Sequence, residues 1–218
     1  DGQYRVSFGD RQAVAPALVI ATGGPSIPKM GATDFAYGLA RRFGLSVVEP
    51  RPALVPLTLG PDEQLFRDLS GVAAPVVARC GKTRFAEAAL FTHRGLSGPA
   101  ILQISSYWRH GEPIGINFLP DQPRGWLVAA KRQRPRVSLR GALSGLLPDR
   151  LVQALAQRLP PVAELGGLTD ALLTEVEAQF ADWQFAPTGT EGFAKAEVTI
   201  GGIATAGLSS QTMMASKV

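Results

Sequence analysis

The fold depends on one stretch of the sequence, Ala17-Leu18-Val19-Ile20-Ala21-Thr22-Gly23-Gly24. Five small or branched apolar residues run without a polar break and stop at a hydroxyl followed by two glycines, which is typical of a buried parallel strand ending in a tight turn. In open α/β sheets, ligands lie beyond the carboxyl ends of the strands, and paired glycines let the backbone approach a bulky group. The stretch therefore predicts a buried strand with a ligand site at its end. A simple chain reversal is the alternative explanation of Gly23-Gly24.

The residues around this stretch extend it into one α/β unit. A hairpin is predicted before it, over residues 3–15, and a helix after it, in which Phe35, Leu39 and Phe43 recur every four residues. The chain then returns as a short strand at residues 45–48. Strand, turn, helix and strand in this order are typical of a nucleotide-binding fold.

A change of composition divides the chain near residue 50. Two prolines two residues apart, in Glu49-Pro50-Arg51-Pro52, predict a linker. Beyond the linker, turn residues separate short apolar runs, which predict an antiparallel sheet or small barrel with strands at residues 54–59, 72–80, 83–91 and 114–119. A second glycine pair, Gly201-Gly202, follows strand-like residues 197–200 and repeats the pattern of the opening stretch.

Helical periodicity replaces the strand pattern between residues 121 and 180. Two apolar stripes with helical spacing are expected to be core: Leu147, Leu151, Leu155 and Leu159 in the first, and Leu172, Leu173, Val176 and Phe180 in the second. Pro160-Pro161 is expected to end the first of these helices.

Composition indicates a globular protein. The chain has 218 residues, 45% of them hydrophobic, and no apolar run approaches the roughly 18 residues that cross a membrane. The single cysteine, Cys80, excludes an internal disulfide and predicts a cytoplasmic protein. The chain starts at Asp1 and ends at Ser216-Lys217-Val218 without a helical end or a polar tail, so we expect a piece of a longer protein.

Charge gives little support for a nucleic-acid partner. The net charge is +4 and the isoelectric point about 9.6, but the basic residues are scattered except between residues 124 and 140, where Trp126 alone interrupts them. That series comprises Arg124, Lys131, Arg132, Arg134, Arg136 and Arg140. A solvated helix face or exposed turn explains it better than a nucleic-acid site, so nucleic acid is disfavoured as a partner.

Two adjacent residues, His93 and Arg94, are the best candidates for polar groups in a site. An imidazole exchanges a proton near neutral pH, and a guanidinium binds an anionic substrate or the charge of a reduced cofactor. A loop histidine bonded to backbone is the alternative explanation. Cys80 lies at an expected hairpin turn and is interpreted as structural rather than nucleophilic. The other histidine, His110, has no second ligand nearby, so no metal site is expected.

Four segments together resemble one known family. They are residues 18–24, 52–57, 91–102 and 192–203, and the distinctive ones contain Thr92-His93-Arg94-Gly95-Leu96-Ser97-Gly98 and Lys195-Ala196-Glu197-Val198-Thr199-Ile200-Gly201-Gly202. In this order they resemble segments of the YhiN/BaiN-type bacterial flavoproteins, the aminoacetone oxidase-like NAD(P)/FAD-dependent family. The match spans essentially the whole chain.

The resemblance implies a mixed α+β and α/β fold. It implies a partial FAD-binding nucleotide fold, interrupted by an insert with a β-rich, barrel-like part and a helical part. Residues 1–50 and 187–218 would be pieces of the FAD-binding domain, and residues 51–186 the insert, mainly β over 51–120 and mainly helical over 121–186. By the same resemblance the FAD would be bound by Thr22, Gly23, Gly24, Gly201 and Gly202.

The resemblance also implies an activity. The full-length protein is expected to be an FAD-dependent oxidoreductase of a small-molecule substrate, with NAD(P)H as a candidate electron donor. Family members carry a glycine-rich turn that binds the FAD pyrophosphate through helix N-terminal N–H groups, and this chain lacks it. The chain alone is therefore expected to bind FAD weakly or not at all, and to be inactive. The alternative is a nucleic-acid or protein-binding module built on the basic insert; catalytic residues and oligomeric state are left open.

Overall fold

The computed structural model describes residues 2–159 and 164–215. The chain forms two compact units: residues 1–50 with 201–218, here called the split unit, and residues 51–200, the continuous unit. The expected helix end at Pro160-Pro161 and the terminal Ser216-Lys217-Val218 lie outside the described residues.

The architecture is mixed α/β, as the sequence predicts. The strands are β1 (Tyr4–Phe8), β2 (Arg11–Ala15), β3 (Val47–Ala53), β4 (Leu57–Leu59), β5 (Ala73–Cys80), β6 (Thr83–Thr92), β7 (Gly95–Ser97), β8 (Ile114–Asn117), β9 (Trp183–Phe185), β10 (Pro187–Thr190) and β11 (Val198–Ile203). The helices are α1 (Phe35–Arg42), α2 (Gln64–Arg67), α3 (Pro99–Ser105), α4 (Trp126–Gln133), α5 (Leu139–Leu143), α6 (Asp149–Gln157) and α7 (Asp170–Ala181).

Seven antiparallel strands form the sheet of the continuous unit. Their order is β10-β4-β7-β6-β5-β8-β9. The edge strands β9 and β10 are separated by Ala186 alone. Because consecutive Cα atoms are about 3.8 Å apart, the sheet must curl until its two edges approach each other. This confirms the predicted barrel-like part.

Period-2 alternation and an aromatic cluster build the core of this sheet. Along β5, alternate residues from Ala74 to Cys80 are buried. Five aromatic residues that are far apart in the sequence or lie on one edge strand contact one another in the core: Phe66 of α2, Phe91 of β6, Phe118 after β8, and Trp183 and Phe185 of β9. The ring centroids of Phe66 and Phe185 are 4.9 Å apart with the rings nearly perpendicular, an arrangement favoured by the aromatic quadrupole.

The helical part follows the two predicted stripes. Leu147, Leu151, Leu155 and Leu159 are all buried, and so are Leu173, Val176 and Phe180; Leu172 is half-buried. Side-chain hydroxyls cap two of the helices, with Ser138 accepting from the N–H of Gly141 in α5 and Thr169 from the N–H of Leu172 in α7. Helix α4 packs against α7, and α5 against α6.

The split unit contains the predicted hairpin and helix, but the helix presents a different face. Strands β1 and β2 pair with Tyr4 opposite Ala15. In α1, Phe35 and Phe43 are exposed, whereas the buried residues are Ala36, Tyr37 and Ala40. The expected stripe of Phe35, Leu39 and Phe43 is therefore wrong for the two phenylalanines, while Leu39 is half-buried. The small side chains and the Tyr37 ring, which lies next to Gly202, form the packed face instead.

The predicted buried strand at residues 17–21 does not form. These residues have no regular secondary structure, and Val19 is 83% exposed. A buried strand needs neighbours for its N–H and C=O groups and cover for its side chains. In the part of the chain that the structure describes, no strand pairs with this stretch, so it is an exposed apolar segment.

The predicted linker at residues 49–52 is part of a strand. Pro50 and Pro52 lie inside β3, which pairs with β11 in a two-stranded sheet. Each strand of such a pair has a free edge, where the missing N–H of a proline costs little. The division between the units falls at Pro50 and again at Gly201. Strand β10, which lies in the predicted FAD-domain piece 187–218, pairs with β4 in the seven-stranded sheet. The assignment of the two units to an FAD-binding domain and an insert stays a prediction.

Candidate functional site

The segment that carries His93 and Arg94 is a tight turn between β6 and β7. Thr92 Oγ1 accepts hydrogen bonds from the backbone N–H groups of Arg94 at 3.2 Å and Gly95 at 3.1 Å. The carbonyl of Arg94 accepts from the N–H of Leu59 at 2.9 Å, and the carbonyl of His93 accepts from Nε of Arg67 at 3.0 Å. The backbone of both candidate residues is therefore bonded to neighbouring elements.

The side chains of the two residues differ in their surroundings. Nη1 of Arg94 lies 3.6 Å from Oε2 of Glu191, and the two side chains are 55% and 10% exposed. His93 is exposed, and within residues 2–159 and 164–215 its ring has no hydrogen-bond partner. The backbone of this turn is fixed by hydrogen bonds, while the His93 ring is free to turn in solvent. A role for His93 and Arg94 in a site stays a prediction.

Close packing of the backbone explains the two glycines of this motif. Gly95 has φ +151°, and a Cβ there would overlap the carbonyl oxygen of Leu57. Gly98 has φ +87°, and its Cβ would lie 2.8 Å from the carbonyl oxygen of Ala88. Gly98 is the N-cap residue of α3, which has no side-chain cap in the described residues, and Pro99 occupies the first turn of the helix.

The predicted cofactor residues at the end of the opening stretch lie in open surroundings. Thr22 and Gly23 are exposed and Gly24 is half-buried. Gly23 has φ +70°, and no atom lies within 4 Å of the position of its missing Cβ. A bulky planar group could approach this backbone closely.

Gly201 and Gly202 lie within β11 rather than in a turn after it. Their φ angles are +93° and +102°. A Cβ on Gly201 would lie 2.6 Å from the carbonyl oxygen of Glu49, and one on Gly202 would lie 3.1 Å from Cε1 of Tyr37. Packing inside the split unit therefore accounts for both glycines, and contact with a cofactor stays a prediction.

A groove of about 490 Å³ lies beside the end of the β5–β6 hairpin and includes Cys80. The thiol is buried, and its Sγ is 3.7 Å from Oε2 of Glu112. Burial raises the pKa of the Cys80 thiol, and the Glu112 carboxylate raises it further. A protonated thiol is a poor nucleophile, which supports the structural interpretation of this residue.

The basic series between residues 124 and 140 separates into paired and unpaired members. Lys131 Nζ donates to Oδ1 of Asp170 at 2.8 Å, and Arg132 lies 3.8 Å from the same carboxylate. In the described part of the chain, four arginines form no ion pair or side-chain hydrogen bond and are exposed: Arg124, Arg134, Arg136 and Arg140.

A groove of about 320 Å³ runs beside α4. Its wall on α4 consists of Trp126, Ala129, Ala130 and Gln133, which share one helical face. Arg134, just after α4, also lines the groove, together with Ala142, Ser144 and Leu146. Sequence reasoning missed this groove, although the Trp126 inside the basic series was the available signal.

A carboxylate occupies the N-terminus of α4. Oε2 of Glu177 accepts from the N–H of Gly125 at 2.7 Å, and Oε1 accepts from the N–H of Leu127 at 2.6 Å. These N–H donors have no partner within the helix, and the negative charge of Glu177 interacts favourably with the positive end of the helix dipole. Glu177 lies on α7, so it joins the two helices.

Replacing Glu177 with alanine is expected to lower the free energy of unfolding by about 1–3 kcal/mol, because two N–H groups lose a charged acceptor. Urea unfolding of the variant measures this loss. Glu175→Ala is the matched control, since Glu175 is exposed on the same helix and should change the stability by less than about 0.5 kcal/mol. Equal losses in the two variants would contradict the capping role.

The described residues contain neither a candidate membrane-spanning helix nor a candidate metal-binding cluster. No helix there is both long enough and apolar enough to span a bilayer. No group of three or more His, Cys, Asp or Glu side chains in those residues is placed to hold a metal ion.

Comparison with known proteins places this architecture. The model of the HI0933-like protein barrel and H2TH domain matches residues 51–198, which is nearly the whole continuous unit with its curled sheet and helices. The chain belongs to this family. In the HI0933-like chain, the sheet β10-β4-β7-β6-β5-β8-β9 and helices α4 to α7 all lie inside the matched residues.

Curated relatives match the HI0933-like chain over most of its length. It is 46% identical over 212 residues to the ribosomal RNA dihydrouridine synthase of Escherichia coli (strain K12), covering 92% of this chain and 51% of that protein. It is 40% identical over 205 residues to the protein of the same name from Haemophilus influenzae, again covering 92% and 51%. A 3-dehydro-bile acid delta(4,6)-reductase of Clostridium scindens is 26% identical over 216 residues, covering 88% and 50%. The chain spans about half the length of the curated relatives it matches.

Proposed function

We propose that this chain is part of a flavin-dependent oxidoreductase that reduces uridine to dihydrouridine in ribosomal RNA. The observation that carries the proposal is the 46% identity, over 92% of the chain, to a ribosomal RNA dihydrouridine synthase. That reaction adds a hydride and a proton across the C5–C6 double bond of uracil. No side chain of a protein supplies a hydride, so such a reaction needs a redox cofactor.

The open backbone at residues 22–24 fits a flavin better than the second glycine pair does. At Gly23 no atom fills the space of a Cβ, so a planar ring system or its ribityl chain has room there. At Gly201 and Gly202 the corresponding space is taken by the Glu49 carbonyl and the Tyr37 ring. We therefore propose Thr22, Gly23 and Gly24 as the first flavin contacts, while contact of Gly201 and Gly202 with the cofactor stays a prediction. A bound flavin would supply the hydride.

The exposed apolar residues of the split unit support the assignment to a larger cofactor domain. Val19, Phe35 and Phe43 are 83%, 57% and 47% exposed, and Leu18 and Ile20 lie beside Val19 with about 40% exposure each. Exposed apolar side chains in such number are typical of a surface that packs against further protein. The relatives have about twice as many residues as this chain matches, and we infer that the additional residues of the full-length protein cover this surface and complete the flavin site.

An absorption spectrum of the purified full-length protein tests the cofactor. The expected result is a yellow protein that releases a flavin on denaturation, whereas this chain alone binds little. Thr22→Ala tests the predicted flavin residue, and Thr33→Ala, in an exposed position of the same unit, is the control. A colourless full-length protein that still binds RNA would contradict the enzyme and favour a binding module built on the basic insert.

One relative favours a second substrate class. The bile-acid reductase acts, by its name, on a small molecule, and it matches 88% of this chain. A small-molecule substrate was also the expectation from the sequence. The bile-acid reductase is 26% identical to this chain, whereas the Escherichia coli synthase is 46% identical. We therefore rank RNA first as the substrate. A yellow protein that leaves ribosomal RNA unchanged would reverse that order.

A further inference from the structure

The groove beside α4 has the shape and chemistry of a site for one or two nucleotides. Its volume of about 320 Å³ lies at the lower end of the range for ligand sites. Three alanines, Ala129, Ala130 and Ala142, line it and leave room for a flat group. Trp126 is packed partly against the core and partly exposed to the groove, which holds its ring in place.

Polar side chains in the groove can bind the edges of a base. Gln122, Gln133 and Ser144 line it and offer both donors and acceptors. An aromatic ring beside amide and hydroxyl groups is the usual means of recognising an unpaired base, which stacks on the ring and forms hydrogen bonds along its edge.

The charges around the groove suit a phosphate backbone. Arg134 lines it, and Arg124 directly follows Pro123, which also lines it. In the residues that the structure describes, these arginines have no carboxylate partner, in contrast to Lys131 and Arg132. No acidic residue is among those that line the groove. An unpaired guanidinium is free to bind phosphate.

We propose that this groove binds a single-stranded segment of RNA, with a base stacked on Trp126 and phosphates bound by Arg134 and Arg124. The inference rests on the proposed RNA substrate and names the surface that receives it. An acidic peptide would also pair with the arginines, but an acidic side chain does not stack on the Trp126 ring. The basic series, interpreted from sequence as a solvated face, then becomes part of the substrate interface.

Binding of a labelled single-stranded RNA oligonucleotide to the full-length protein tests this inference. Trp126→Ala is expected to weaken binding roughly 5- to 100-fold through loss of stacking. Trp126→Phe, which keeps an aromatic ring, should restore most of the affinity. Arg134→Gln is expected to weaken binding several-fold and to reduce the slope of log K against log salt by about 0.7, the value for one phosphate contact on a single strand.

Arg132→Gln is the matched control, because it removes the same charge two residues away in the sequence, from a side chain that faces Asp170. It should leave the salt slope nearly unchanged. If Trp126→Ala fails to fold, the pair of arginine variants decides the result alone. Equal effects of Arg134→Gln and Arg132→Gln on RNA binding would overturn the assignment of this groove as the RNA-binding site.

Two further outcomes separate this inference from the proposed function. If the variants bind RNA as the wild type does and the protein still forms dihydrouridine, the groove is wrong and the proposed function stands. If the wild type neither binds RNA at low salt nor forms dihydrouridine, the proposed function is wrong, and the inference that rests on it is wrong as well. Binding of polyglutamate that Trp126→Ala weakens equally would assign the groove to an acidic protein partner instead.

Discussion

Replacing Gly95 with alanine is expected to prevent the continuous unit from folding, or to lower its free energy of unfolding by more than about 4 kcal/mol. The new Cβ would overlap the carbonyl oxygen of Leu57 and lie 2.8 Å from the backbone N of Leu59. Neither atom can move away, because β4 is paired with β7 on one side and with β10 on the other. The φ of +151° adds strain for any residue with a side chain.

Soluble yield and the midpoint of denaturant unfolding measure this effect. Gly167→Ala is the control, since Gly167 lies in the same unit with no atom within 4 Å of its Cβ position and no positive φ. It should change the stability by less than about 1 kcal/mol. A Gly95→Ala protein as stable as the Gly167→Ala protein would show that the β6–β7 turn is not packed as described.

Replacing Phe66 with alanine is expected to lower the free energy of unfolding by about 3–5 kcal/mol. The Phe66 ring is fully buried, and its centroid lies 4.9 Å from that of Phe185 and 6.0 Å from that of Phe91. Truncation therefore leaves a cavity among aromatic rings that belong to different strands and cannot collapse into it.

Two variants calibrate the Phe66 measurement. Phe66→Leu keeps most of the buried volume and should lose only about 1–2 kcal/mol. Tyr107→Ala removes an aromatic ring that is 53% exposed and should lose less than about 1 kcal/mol. If Phe66→Ala behaved like Tyr107→Ala, the aromatic cluster would not be the centre of the barrel core.

Local periodicity predicted the elements whose partners lie inside the chain. The β5–β6 hairpin follows from two apolar runs around Gly81-Lys82. Helix α6 follows from leucines four residues apart, and α7 from the stripe that includes Leu173, Val176 and Phe180. In each case the pattern and the burial agree, because the packing surface is supplied by the continuous unit itself.

The opening stretch shows where sequence reasoning fails. Residues 17–21 have the composition of a buried strand, yet a strand forms only beside another strand, and none in the described chain pairs with them. The prediction of a linker at residues 49–52 was wrong for the opposite reason. Pro50 and Pro52 suggest a break in regular structure, but an edge strand tolerates both prolines. In both cases the neighbouring strand, rather than the local sequence, decides the structure.

The candidate site was predicted only in part for similar reasons. The sequence singled out Thr92-His93-Arg94-Gly95 for its residue types, but the structure uses this turn to join β6, β7 and β4. The groove beside α4 was missed because its walls come from residues 122–134 and 142–146, and only the folded chain brings these together. Charge counting also cannot show that Asp170 neutralises Lys131 while Arg134 stays unpaired.

Reduction of uridine in ribosomal RNA is the activity that we propose for the full-length protein. Its most direct test incubates the purified protein without oxygen, with NADH, NADPH or photoreduced flavin as electron source. The RNA is ribosomal RNA from an Escherichia coli strain that lacks its own dihydrouridine synthase, and the nucleosides are then analysed by mass spectrometry. The proposal predicts that uridine at a defined position gains two hydrogens. Ribosomal RNA without dihydrouridine, from a protein whose flavin was demonstrably reduced, would contradict it.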